Sequence, residues 1–143
     1  MSLILFYLLF VLTNIHHGNR IYLVILNKGG ENLNPKYEKQ IKKGVLEILV
    51  LKLLSEDEKY GYQLISELKE KSEDLFILKE GTLYPILYRL EDENLVESHW
   101  SEPKGKEVSR KYYRITDKGK QELEELCRFW EDFQEHVTAI LKD

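Results

Sequence analysis

Between Glu80 and Ile115 an amphipathic helix pattern, a strand pattern, a basic loop with Pro103 and Gly105 and a second strand pattern follow one another without a break. Leu83, Leu87 and Leu90 recur at i, i+4 and i+7, and Ile86 widens the stripe, as one buried helix face requires. Thr82 is suited to cap this helix, Pro85 would fall in the first turn, and Asn94 suits a left-handed stop near Glu93. Leu95 to Trp100 and Lys111 to Ile115 are rich in aromatic and branched residues, as half-buried strands are. A helix feeding directly into a cationic hairpin leaves few folds open.

The segment before it supplies two more helices. From Ile41 to Leu54 apolar residues cover nearly the whole helix circumference, so this helix is expected to be buried on more than one side, with its extra face toward a partner subunit. Lys36, Lys39, Lys42 and Lys43 crowd its exposed beginning, and the polar stretch SEDEK ends it, with Ser55-x-x-Glu58 a weak capping box. Tyr60-Gly61 then opens a short helix with Leu64, Ile65 and Leu68 on one face, and 72–78 connects it to the next. Three helices and a hairpin make a winged helix-turn-helix, a mainly α fold with a small β-hairpin. Thr116 can cap a last helix in which Leu123, Leu126, Trp130, Phe133, Val137 and Ile140 repeat at spacings of three and four. Such a coiled-coil-like seam outside a small domain calls for a second copy, so a homodimer is expected.

Residues 1–33 stand apart. Residues 3–12 and 21–26 are apolar runs, each short of the roughly 20 residues needed to cross a bilayer, and neither a basic leader nor a small-residue cleavage site accompanies them. Lys28-Gly29-Gly30-Glu31 can be encoded as a strong bacterial ribosome-binding sequence and Leu33 by an alternative start codon. The expected division is therefore 1–33 as a non-native or upstream-translated extension, 34–115 as the winged helix-turn-helix and 116–143 as the dimerisation helix. A membrane-tethered regulator is the competing reading if residues 1–26 are retained.

Charge is unevenly spread over a chain of formal net charge −4. Residues 103–114 hold five cations against Glu107 alone, whereas 117–143 hold four cations against eight carboxylates. That distribution excludes a uniformly basic nucleic-acid binder and leaves a local basic patch. Cys127 is the single cysteine, as expected of a reducing, cytoplasmic setting, and reads as a small apolar residue. With four His at positions 16, 17, 99 and 136, no metal-ligand spacing, phosphate loop or nucleophile motif emerges, so no enzyme, metal or cofactor is expected.

The chemistry that remains is that of binding. Thr82, Tyr84, Pro85, Tyr88 and Arg89 are left outside the apolar stripe, and hydroxyls and a guanidinium can meet phosphates or a guanine edge. Taken alone they fit an ordinary solvated face better. The neighbouring Lys104, Lys106, Arg110 and Lys111 change the balance, because counterion release rewards cations on a mobile loop. Tyr112 and Tyr113 alternate in direction, so one packs inward and the other faces out. Tyr60 and Tyr62 flank Gly61 at a helix start, where backbone N–H groups could meet a phosphate, and Tyr62 fits core packing as well. Trp130 reads either as an oversized seam residue or as one wall of a slot for a planar ligand.

Tyr60-Gly61-Tyr62-Gln63-Leu64, EGTLYPILYRLEDENLV at 80–96 and RKYYRITDKGK at 110–120 resemble the PadR family of bacterial transcriptional regulators, in its short subgroup with a single C-terminal helix. The resemblance covers about residues 36–141. It implies a homodimer that binds a palindromic double-stranded operator, usually as a repressor, and releases it when a small molecule binds. By position it implies DNA contacts for Tyr60, Gly61, Thr82, Tyr84, Pro85 and Arg89, a wing base at Lys111 and Tyr112, and a drug-stacking role for Trp130. Asn94 replaces the family's usual Gly, and the wing is poorer in glycine and arginine than is usual. A winged helix used only for protein partners is the alternative function.

Overall fold

The computed structural model describes residues 34–103, 105–106 and 108–142. Helix α1 (Pro35–Glu56) starts on a proline, whose missing N–H costs nothing at a first helical position. Strand β1 (Lys59–Tyr60) and helix α2 (Gly61–Lys71) follow, then α3 (Glu80–Asp92), β2 (Val96–Trp100), β3 (Lys111–Ile115) and the long α4 (Asp117–Lys142). The expected winged helix-turn-helix with a C-terminal helix is what forms. Residues 1–33, on which the extension and membrane-tether expectations rest, lie outside the described residues.

The hairpin becomes a three-stranded antiparallel sheet, because β1 adds to β3 and gives the order β1-β3-β2. Lys59 faces Tyr113 and Tyr60 faces Tyr112 across one edge, while Val96 faces Ile115 and Trp100 faces Lys111 across the other. A two-residue strand is too short to show alternation, so sequence patterning passes over it. Its buried Lys59 is balanced by Glu67 of α2 at 3.1 Å, which a desolvated ammonium needs.

Several helix ends differ from expectation. Ser55 is not the start of a capping box: α1 continues through it, and its hydroxyl donates to the Lys52 carbonyl at 2.7 Å. Gln63 performs the capping instead, its side-chain oxygen accepting from the Tyr60 N–H at 3.1 Å. Helix α3 begins two residues before Thr82, with Lys79 extended as the cap position and its carbonyl accepting from the N–H groups of Thr82 and Leu83. The backbone alone starts this helix, and Thr82 sits in its first turn rather than capping it. Pro85 consequently lies beyond the first turn, so the Gly81 carbonyl loses its helical donor on an exposed face.

Asn94 does adopt left-handed geometry, with φ of 60°. Thr116 caps α4 as expected, accepting from the Gly119 N–H at 3.0 Å, and its hydroxyl also reaches the Asn94 carbonyl at 2.7 Å. The core gathers Val50, Leu51 and Leu54 of α1, Leu64 of α2, Leu83 and Leu87 of α3, and Val96 and Tyr113 of the sheet. Only the C-terminal half of α1 is enclosed: its buried residues are Leu46, Val50, Leu51, Leu53 and Leu54, Lys52 among them still faces out, and Ile41 stays 68% exposed.

The sheet settles which tyrosine of the pair packs inward: Tyr113 is buried and Tyr112 is on the other side. The Tyr113 phenol oxygen finds no hydrogen-bond partner among the described residues. Tyr113→Phe is therefore expected to change stability by no more than about 1 kcal/mol, since the gain from removing a buried hydroxyl that lacks a geometrically good hydrogen bond is offset by losing its electrostatic contact with Lys111. A urea titration giving a loss of more than about 1 kcal/mol would contradict this.

Candidate nucleic-acid interface

The wing and α3 meet through Lys111. Its ammonium lies 5.8 Å from the Tyr88 ring centroid and 5.2 Å from that of Tyr113, and 3.5 Å from a carboxylate oxygen of Glu91. Burial disfavours this charge, but the Tyr113 phenol and the Glu91 carboxylate outweigh it, holding the lysine above its ordinary value and cationic at neutral pH. Burial pushes the Tyr113 phenol up, against the pull of Lys111. Glu91 also accepts from the Ser98 hydroxyl, which ties α3 to β2. The base of the wing is thereby set against the flank of α3.

A second cluster builds outward from β1. The Arg110 guanidinium sits 4.6 Å above the Tyr60 ring, Tyr60 meets Tyr112 edge-on at 5.4 Å, and Tyr112 stacks on His99 at 5.9 Å. The outward Tyr112 thus joins two residues that the linear sequence keeps far apart. Gly61 begins α2 against Tyr84 of α3: a Cβ there would lie 2.7 Å from the Tyr84 hydroxyl oxygen, so glycine allows this close approach. Tyr84 and Tyr88 lie on the wing side of α3, their rings 6.1 Å apart. Lys106 is exposed on the wing, whose turn holds Gly105 at φ 66°; Lys104 lies outside the described residues.

Thr82, Pro85 and Arg89 occupy the opposite side, toward α1. Arg89 is already engaged: its Nε donates to Glu47 of α1 at 3.0 Å, and its Nη1 to the Pro85 carbonyl at 3.3 Å. No local pattern signals this partnership, because the two residues are 42 positions apart. Exposed ion pairs of this kind contribute roughly 0–1 kcal/mol, little enough for a phosphate to compete with the carboxylate.

The residues expected to form the dimer seam divide into two sets. Leu123 is only 8% exposed and belongs to the core of its own domain, which corrects its assignment to a partner-facing seam. The first turns of α4 do find an intramolecular surface, and Leu126 and Cys127 are half-buried against the same core. Beyond them Trp130, Phe133, Val137 and Ile140 remain exposed. Trp130 and Phe133, with ring centroids 6.0 Å apart, line an apolar groove of about 600 Å³ against Ile41, Val45 and Ile48 of α1.

A recognition-type helix flanked by a basic wing defines the class: a winged-helix DNA-binding protein. The family model described as the transcriptional regulator PadR-like family matches residues 50–125, just over half of the chain, and the chain belongs to that family. It is a family of transcriptional regulators rather than of enzymes. Over 99 residues the chain is 35% identical to the negative transcriptional regulator PadR of Bacillus subtilis (strain 168), covering 69% of this chain and 52% of that protein. This chain thus spans about half the length of that relative. A PadR family transcriptional regulator from Eggerthella lenta matches in structure with a TM-score of 0.67 and 33% identity, covering 75% of this chain and 90% of that one. Bacillus subtilis PadR in complex with operator DNA matches with a TM-score of 0.53 and 34% identity, covering 58% of this chain and 46% of that one. Among the described residues no helix is long and apolar enough to cross a membrane.

Proposed function

We propose that this chain is a cytoplasmic, homodimeric repressor that binds a palindromic operator and releases it when a planar or aromatic small molecule enters the groove beside Trp130. The observation that carries the reading is the seating of Lys111 against Tyr88 and Glu91, which holds a wing cation beside α3, with Arg110 fixed on Tyr60 on the other face of the same sheet. An α-helix fills a major groove about 12 Å wide, and cations beside it meet the phosphates along that groove. The operator-bound Bacillus subtilis PadR supports duplex DNA as the partner.

In this proposal residues 34–115 read DNA, with Tyr60, Gly61, Tyr84, Lys106, Arg110, Lys111 and Tyr112 on the wing side and Thr82, Pro85 and Arg89 on the other. Residues 116–143 hold the two heads together through Trp130, Phe133, Val137 and Ile140, with Leu126 at their edge. Two heads related by a two-fold axis read two half-sites, which makes the operator palindromic. The groove volume of about 600 Å³ lies in the range of small-molecule sites, and Trp130 offers the flat apolar wall that an aromatic effector needs.

The double variant Arg110→Ala/Lys111→Ala tests the DNA reading. Gel-shift titrations should give an affinity about 10- to 100-fold lower than that of the unaltered protein, with an unchanged circular dichroism spectrum, as expected for losing two phosphate contacts per head. Equal affinity in both proteins would remove duplex binding from this face and favour a winged helix that serves a protein partner.

A further inference from the structure

Sequence reading assigns cationic contacts to the wing and to Arg89 of α3 and none to α1, yet α3 has two flanks. Tyr84 and Tyr88 lie on the wing side, while Thr82, Pro85 and Arg89 line an open groove of about 510 Å³ whose other wall is the first half of α1. That wall presents Pro35, Glu38, Lys39, Lys42, Lys43 and Leu46, and the four-residue spacing of Lys39 and Lys43 puts both ammonium groups on the same helix face.

The charges in this groove are not equivalent. Glu38 and Lys42 pair with each other, and Lys42 also lies 5.9 Å from the Phe76 ring centroid. Arg89 is neutralised by Glu47. Lys39 and Lys43 have no carboxylate partner among the described residues, whereas Lys52, Lys59, Lys69, Lys71 and Lys111 each pair with one. The uncompensated charge of the groove is therefore positive and rests on these two side chains, both exposed.

A helix about 10–12 Å across that occupies a major groove of about 12 Å has a phosphate strand on each side of it. The wing accounts for one strand. From the unpaired lysines on the other flank, we infer that Lys39 and Lys43 of α1 form a second phosphate clamp, gripping the backbone strand across the major groove from the wing. The partner is the sugar-phosphate backbone of the same duplex, so this inference rests on the DNA-binding reading above. It makes α1 a DNA-positioning element as well as a core helix. The clamp carries no base selectivity, since an ammonium meeting a phosphate oxygen reads none.

The salt dependence of binding tests it. Each phosphate neutralised contributes about 0.9 to the slope of log K against log salt, so losing two lysines per head from a dimer lowers the slope by about 3–4. Lys39→Ala/Lys43→Ala in the full chain should show that reduction, with operator and non-operator duplexes weakened alike. Lys39→Arg/Lys43→Arg should restore it. Lys52→Ala/Lys71→Ala, with the same change in net charge around Glu56 at the other end of α1, should keep the unaltered slope. If Lys39→Ala/Lys43→Ala binds with the original slope, or if the control variant loses as much slope, the clamp is overturned while DNA binding stands. If the unaltered protein binds no duplex at any salt, the DNA-binding reading fails, and the clamp with it.

Discussion

Gly119→Ala is expected to destabilise the domain by about 3 kcal/mol or more, lowering the thermal midpoint by well over about 10 °C. Helix propensity alone argues the other way, since alanine improves on glycine by about 1 kcal/mol in a helix. Geometry decides the sign: a Cβ at Gly119 would lie 2.0 Å from the Leu95 carbonyl oxygen and 2.7 Å from Cγ1 of Ile115. Leu95 immediately precedes β2, and its carbonyl accepts from the Thr116 N–H at 3.0 Å. Separating α4 from that backbone would strain both this bond and the Thr116 cap, which adds roughly 0.5–2 kcal/mol to the overpacking. Thermal and urea melts followed at the far-ultraviolet helix signal measure the effect. A variant as stable as the original would mean that α4 enters the domain by a different route.

The second large effect is expected at Phe133→Asp. Phe133 is 46% exposed on α4, stacks with Phe129 at 5.9 Å and lines the groove with Trp130. It lies outside the buried core cluster, so the fold of one chain should survive the change. In the proposed dimer, however, a carboxylate there would be buried against an apolar partner surface at a cost of several kcal/mol. Sedimentation should report a monomer. Operator affinity should fall by roughly 10²–10⁴, because linking two heads supplies an avidity gain of that size. A variant that remains a dimer and binds as before would place the interface elsewhere than on Trp130, Phe133, Val137 and Ile140.

These two predictions depend on features of different visibility. The apolar spacing of α4 is periodic, so its amphipathic face could be read from residues three and four apart. Its division into an intramolecular part at Leu123 and an exposed part from Trp130 onward could not, because both halves carry the same pattern. What separates them is where the domain core ends: Leu123 joins the buried cluster, whereas from Trp130 onward α4 faces only the half-exposed first part of α1 across an open groove. The close approach at Gly119 was equally hidden, since it depends on a carbonyl 24 residues earlier in the chain.

The candidate interface divides in the same way. Thr82, Tyr84, Pro85 and Arg89 were recognisable because they fall outside a clear stripe of leucines, and the wing lysines because they cluster locally. The start of α3 at Glu80 escaped because Lys79 caps through its backbone and leaves no side-chain signal. The unpaired state of Lys39 and Lys43 became visible only when the neighbouring carboxylates had been assigned to other partners. Tyr112 and Tyr113 were indistinguishable in sequence, and pairing with β1 and β2 gave them opposite roles.

By itself the sequence determined the order of the helices and of the hairpin strands, the family and the chemical character of each face. These follow from short-range periodicity, turn residues and local charge, which act over a few residues and need no knowledge of neighbours. The tertiary structure alone decided which of those groups are compensated: Lys59 by Glu67, Arg89 by Glu47, Lys111 by Glu91, and Leu123 by the core. Compensation is a property of atoms brought within a few ångströms across the fold, so it is set by packing rather than by pattern.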